Sequence, residues 1–303
     1  VSNVIPLQPG TAILDGESLL AEGLRLYRSG GLPKGQSSGW PCLDELYTVR
    51  TGQWTLITGI PGAGKSEFLD ALLVNLAEAD AWEFAIYSPE NYPPVTHLIK
   101  LVEKHERKPF AAGPVPRMSE TEYRFGAIWV QERFFWIEPK LKTPDELIET
   151  ALKARDNERK FGIVLDPWNT LEHQRGGMTE TDYVSFILTE VLKLARSADA
   201  HIWLVVHPAK IPRNKDGTRP VPTPYDISGS AHWYNKADNI ITVHRDQSAG
   251  QDVEIHVQKV RFKNIGRVGA AMLKYDKTTG RYFDLGHPGI PGETYADPER
   301  AAG

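Results

Sequence analysis

Cysteine is almost missing from this chain: Cys42 stands alone among 303 residues. No disulfide can form within it, and a reducing compartment is the expected setting. No stretch is long and apolar enough to span a membrane as a helix, so no membrane partner is expected. The first residues lack the basic-then-apolar pattern of a secretory leader, and Val1 in place of Met is the mark expected of a trimmed piece. Neither sign of charge dominates: 35 Lys and Arg against 39 Asp and Glu leave −4. A basic surface spread over the whole protein is thereby excluded, and any nucleic-acid contact must be a local patch. No internal repeat is present, which excludes a solenoid. What remains, 41% hydrophobic and 24% charged residues, suffices for one large core or two modest ones.

Against these absences one segment is fully specified. Gly59-Ile60-Pro61-Gly62-Ala63-Gly64-Lys65-Ser66 fills every fixed position of G-x-x-x-x-G-K-[ST]. An apolar run from Trp54 leads into it, and a helical pattern over residues 67–78 follows. Glycines let backbone N–H groups curl around phosphate oxygens, and the helix N-terminus adds partial positive charge. In that frame Lys65 reaches the β- and γ-phosphates of ATP or another NTP, and Ser66 offers its hydroxyl to Mg²⁺.

Along the rest of the chain, apolar runs at 56–59, 84–88, 134–137, 162–166 and 202–206 read as strands. Helical stretches at 95–105, from Thr143, and from Thr179 to about Ser197 alternate with them. Later runs at 239–243, 253–260, 270–275 and 282–285 are strands without intervening helices. The order predicts a parallel α/β sheet with antiparallel additions at its C-terminal end. Asp15 can cap a short helix with Leu20, Leu24 and Tyr27 on one face, to be covered by its own domain or by a neighbouring copy. Residues 106–126 are broken by Pro and Gly and show no period. The expected division is a linker segment over 1–37, a catalytic domain over 38–285 and a disordered tail over 286–303.

Two acids fit the motif. Asp166 ends the apolar strand 162–166, the expected place for a second Mg²⁺ ligand beside the phosphate-loop strand. Glu90 lies just past the strand 84–88, where a group that deprotonates water would stand, since all parallel strand C-ends share one edge. A capping aspartate and a solvated loop carboxylate are the plain alternatives.

Several segments together resemble the RecA-like ATPase domain of DnaB-like replicative helicases, and most closely the Twinkle-type and phage primase-helicases. Beside the phosphate loop and Ser88-Pro89-Glu90, these are Gly39-Trp40-Pro41-Cys42-Leu43-Asp44 with Thr51-Gly52-Gln53, then Asp166-Pro167-Trp168-Asn169 and Val206-His207-Pro208-Ala209-Lys210. Ser228-Gly229-Ser230-Ala231, Lys236-Ala237-Asp238-Asn239 and Lys259-Val260-Arg261-Phe262 complete the set. The resemblance implies a RecA-like P-loop NTPase fold, a homo-oligomer in the form of a hexameric ring, and ATP-driven movement on single-stranded DNA in replication. It implies roles for residues: Glu90 as base, His207 as sensor of the γ-phosphate, and Arg261 as a finger given to the neighbour's ATP, assisted by Lys259. Arg245 and Tyr275 would sandwich the adenine. It further implies a primase domain or primase protein as partner, and the cytoplasm of a bacterial or phage-infected cell ahead of a mitochondrial matrix.

The loop between His207 and Ser228 carries Lys210, Arg213, Lys215 and Arg219 against Asp216. In the family such loops line a central channel and hold the DNA backbone, which needs local cations only. No primase-like or zinc-binding pattern is legible, so no priming is expected of these residues. A RecA/RadA-like recombination ATPase and a KaiC-like ATPase that ignores nucleic acid are the alternatives.

Overall fold

A computed structural model describes residues 15–138, 143–155, 158–209, 211–213, 215, 219–245 and 250–286. The segment 1–14 and the expected tail beyond Gly286 lie outside the described residues.

Each apolar run becomes a strand. In chain order the elements are α1 (Gly16–Arg28), α2 (Pro41–Asp44), β1 (Trp54–Thr58), α3 (Lys65–Asp80), β2 (Glu83–Tyr87), α4 (Pro94–Glu106), α5 (Glu120–Gln131) and β3 (Phe134–Trp136). There follow α6 (Pro144–Lys153), β4 (Phe161–Leu165), α7 (Glu180–Ser197), β5 (Ala200–Val205), α8 (Ser230–Lys236), β6 (Asn239–His244), β7 (Asp252–Val260), β8 (Gly269–Tyr275) and β9 (Tyr282–Asp284). The nine strands form one sheet in the order β3-β2-β4-β5-β1-β6-β7-β8-β9. Strands β3 to β6 pair in parallel, and β6 to β9 pair antiparallel. Strands β1, β2, β4, β5 and β6 are buried at every residue, as parallel strands covered on both faces must be.

Side chains alternate between two cores. Ile57, Trp203 and Val205 join Phe68, Leu72 and Leu101 on one face, while Leu56, Ile202 and Leu204 join Leu147, Ile187 and Leu188 on the other. Helices α3 and α4 thus cover one face and α6 and α7 the other.

Two expectations change. The stretch without period contains α5, which Ser119 and Glu122 start with a reciprocal capping box and which packs on α4. Gly126 sits inside it because a Cβ there would come within 2.9 Å of Val102 on α4. The strand ending at Asp166 is not beside the phosphate-loop strand, because β5 is inserted between β4 and β1. Two strand spacings, about 10 Å, therefore separate them. Helix α1 forms where Asp15 caps it, accepting from the N–H groups of Glu17 and Ser18. None of its residues is buried, and Leu20, Leu24 and Tyr27 stay exposed.

Candidate nucleotide site

The phosphate loop joins β1 to α3 at the C-terminal edge of the parallel strands. Gly59 has φ +150°, and a Cβ on it would lie 2.3 Å from the Val243 carbonyl oxygen, so only glycine fits. Gly64 caps α3 at φ 94° with no side chain accepting from the first-turn amides. Those N–H groups are left for an anion, the arrangement that suits a phosphate. The Lys65 ammonium is buried and donates to the carbonyls of Gly59 at 2.9 Å and Ile60 at 3.3 Å. Burial lowers its pKa, while Asp166 and Glu90 pull the other way.

Asp166 is buried, and burial pushes its carboxyl up to about 6. Asp70 and Glu90 add to that rise, while a hydrogen bond from Ser66 and the charge of Lys65 oppose it. A buried carboxylate beside a hydroxyl, both hard oxygen donors, suits a Mg²⁺ ion that also binds phosphate. Among the described residues no group of three or more His, Cys, Asp or Glu side chains could hold a metal by itself.

One cavity of about 430 Å³ is lined by Gly62 to Glu67, Glu90, His207, Arg245 and Tyr275. It therefore gathers the phosphate loop, the expected base, the expected sensor and both expected adenine contacts. Glu90 is exposed at the mouth, with Oε1 3.8 Å from His207 Nε2. The backbone N–H of His207 donates to Asn169 Oδ1 at 3.1 Å, which ties the end of β5 to the segment after Asp166. Burial and Lys65 lower the pKa of His207, and Glu90 raises it. Arg245 leaves the end of β6 and donates to the Gly250 carbonyl at 2.6 Å. Pro61 belongs to the loop but does not line the cavity.

Lys259 and Arg261 lie elsewhere. Strand β7 runs antiparallel from Val253, in the cavity wall, to the opposite edge of the sheet. Arg261 is about 26 Å away from that wall residue along the strand, at ~3.3 Å per residue. It is an exposed charge, but a partnered one. Its Nε is 2.8 Å from the fully buried Asp238, and Nη2 donates to the carbonyls of Asn235, Lys236 and Ala237 at the C-terminus of α8. Lys259 donates to the Tyr234 carbonyl and sits over that ring, and burial with Arg261 nearby brings its pKa down to about 8. Asp238 also accepts the Trp54 N–H at 3.2 Å, so it joins the start of β1 to that of β6.

Of the basic loop, Arg213, Lys215 and Arg219 are exposed, whereas Lys210 and Asp216 lie outside the described residues. The loop leaves β5 at the same edge as the phosphate loop.

Sequence reasoning missed Glu67, Asn91, Lys100, Val253 and Tyr282, which also line the cavity. Glu67 directly follows Ser66 on the first turn of α3, and Asn91 follows Glu90, so adjacency was the available signal. Lys100 had none, since its approach depends on how α4 packs.

No protein-family model matches the chain. A curated relative, the Twinkle homolog protein of Arabidopsis thaliana, named chloroplastic/mitochondrial, is 43% identical over 277 residues. That match takes in 87% of this chain, which spans 38% of the relative's length. Among solved structures, one ATPase domain superposes with a TM-score of 0.73 at 18% identity, covering 90% of this chain and 100% of that one. A DnaB-like replicative helicase, described with its interactions with primase, gives 0.75 at 19% over 90% and 69%. The RadB recombinase gives 0.52 at 14% over 80% and 97%. At those identities the structures speak for the fold alone, and the fold is RecA-like.

Proposed function

Because the chain is a RecA-like ATPase domain of the DnaB-like helicase superfamily, we propose that it hydrolyses ATP to drive movement along single-stranded DNA and unwind duplex during replication. One observation carries this: a single cavity gathers the phosphate loop, Glu90, His207, Arg245 and Tyr275, while Lys259 and Arg261 lie at the far edge of the sheet. A site so arranged has a base and a sensor of its own, with Arg245 at its wall, and leaves Arg261 too distant to reach it, free to serve a second copy's site.

The first-turn amides of α3 hold phosphate, and Lys65 transfers its ammonium from the two loop carbonyls to the β- and γ-phosphates. Ser66 and Asp166 are the protein's ligands to Mg²⁺, which supplies charge neutralisation on the phosphate oxygens when bound. Glu90, open to solvent beside His207, accepts the proton of the attacking water. His207 reads the γ-phosphate and passes the change through the end of β5 to the basic loop, where Lys210, Arg213, Lys215 and Arg219 grip the DNA backbone. Arg245 and Tyr275 hold the base between them. Arg261 and Lys259 stabilise charge on the neighbouring copy's nucleotide in a homo-oligomeric, hexameric ring. A primase, as a domain or a separate protein, is the further partner we propose, since the DnaB-like relative is described with one. The relative's name points to organelles, and the lone buried Cys42 suits any reducing compartment.

The test is ATP hydrolysis with and without single-stranded DNA, followed by unwinding of a tailed duplex. Stimulation by the single strand and strand separation are expected. Hydrolysis indifferent to DNA would assign the chain to ATPases that act without nucleic acid, and filaments rather than rings in negative stain would assign it to recombinases.

A further inference from the structure

Given the proposed role of Glu90, we infer that Lys100 is the positioning residue that fixes the Glu90 loop against the helix of the phosphate loop. Its ammonium on α4 makes two contacts at the cavity wall. One is to Glu67 Oε1 at 2.9 Å, on the first turn of α3 and next in sequence to Ser66. The other is a donation to Asn91 Oδ1 at 3.0 Å, next in sequence to Glu90. Asn91 is itself locked: its N–H donates to the Ser88 carbonyl at 3.1 Å and its Nδ2 to Ser88 Oγ at 2.9 Å. The loop from Ser88 to Asn91 is thus a closed turn whose outward amide oxygen is held by Lys100. Through a single cation, the Mg²⁺-binding end of α3 and the base are placed relative to each other.

Lys104 is a built-in comparison. It meets the same carboxylate at Glu67 Oε2, 2.6 Å away, and is 1% exposed, but it does not bridge to Asn91. Lys100 is 39% exposed and spans both partners. One lysine serves packing and the other serves alignment.

A displacement of about 1 Å at a reacting group costs on the order of 10²-fold in rate. In the full chain, Lys100→Met should therefore lower kcat for ATP by roughly 10- to 100-fold. Nucleotide Kd, read with a fluorescent ATP analogue, and Tm should stay near wild type. Lys100→Arg should recover part of the rate. Asn91→Ala should reproduce the loss, and the double variant should be no slower than either single one, because both break the same link. Lys104→Met should lower Tm while folded protein keeps its kcat. Normal kcat in Lys100→Met or in Asn91→Ala, beside an inactive Glu90→Gln, overturns the inference alone. Full activity in Glu90→Gln overturns both the inference and the assignment of the base.

Discussion

Lys65 holds its ammonium on two backbone carbonyls, which on the proposed function a triphosphate, with its full negative charge, displaces. Lys65→Ala should bind ATP poorly and lose hydrolysis by on the order of 10²–10³-fold or more, measured as phosphate release. Wild-type turnover in that variant would remove the nucleotide site from the account. Glu90→Gln keeps shape but cannot take a proton from water, so it should bind ATP normally and hydrolyse about 10²–10⁴-fold more slowly. Collapsed affinity with intact turnover per bound ATP would make Glu90 a structural residue. At this scale the sequence was legible where chemistry demands a fixed local spacing. Gly59 to Ser66 could be read directly because the loop is one continuous turn. The placement of Asp166 and Glu90 could be read because parallel strands end at one edge. Lys100 could not, because no local pattern tells which residue of a helix meets a loop turned toward it from another strand. The anchoring of Arg261 on the end of α8 was hidden for the same reason.

The strands and most helices could be read from runs and caps, and the start of α7 at Thr179 is a case where the cap sits where its residue type predicts. Two things escaped. Helix α5 has Gly126 in its middle and a Pro-rich approach, so its period is weak, although Ser119 and Glu122 spell a capping box. The insertion of β5 between β4 and β1 is a matter of crossover, which apolar runs do not encode.

That inserted strand is fastened by His201. Its Nδ1–H donates to the Arg50 carbonyl at 2.6 Å, and its Nε2 accepts from the Thr55 hydroxyl on β1 at 2.8 Å. Burial pushes its pKa down from 6.5 to about 4. The folded form therefore binds the proton less readily than the unfolded chain. The stability held above pH 6.5 falls as pH drops toward 4, by about 3 kcal/mol from this group. Denaturant unfolding at a series of pH values should show that loss, and His201→Gln should flatten it. An equal slope in both proteins would show that another group sets the acid limit. The basic loop that follows β5 is an element in the same sense. Replacing Lys210, Arg213, Lys215 and Arg219 together with Ala should leave basal ATPase intact and make the salt dependence of single-strand binding shallower by up to about 3 in log–log slope. An unchanged slope would put the DNA elsewhere.

At the scale of the whole molecule, the candidate functional residues fall at two edges of the sheet. The parallel strands bring the phosphate loop, Glu90 and His207 to one, and the run of β7 carries Lys259 and Arg261 to the other. Helix α1, with Leu20, Leu24 and Tyr27 uncovered, stands outside the core. On the function proposed above, a chain built this way completes its site with Arg261 of another copy. The direct measurement mixes two defective proteins, Lys65→Ala and Arg261→Ala, each expected to be inactive alone, the second by roughly 10³-fold or more. In mixed oligomers some interfaces set an intact phosphate loop against an intact arginine, so ATPase should reappear on mixing. If the mixture stays inactive while light scattering shows that mixed oligomers have formed, Arg261 does not act on a neighbour, and the site is not shared between copies.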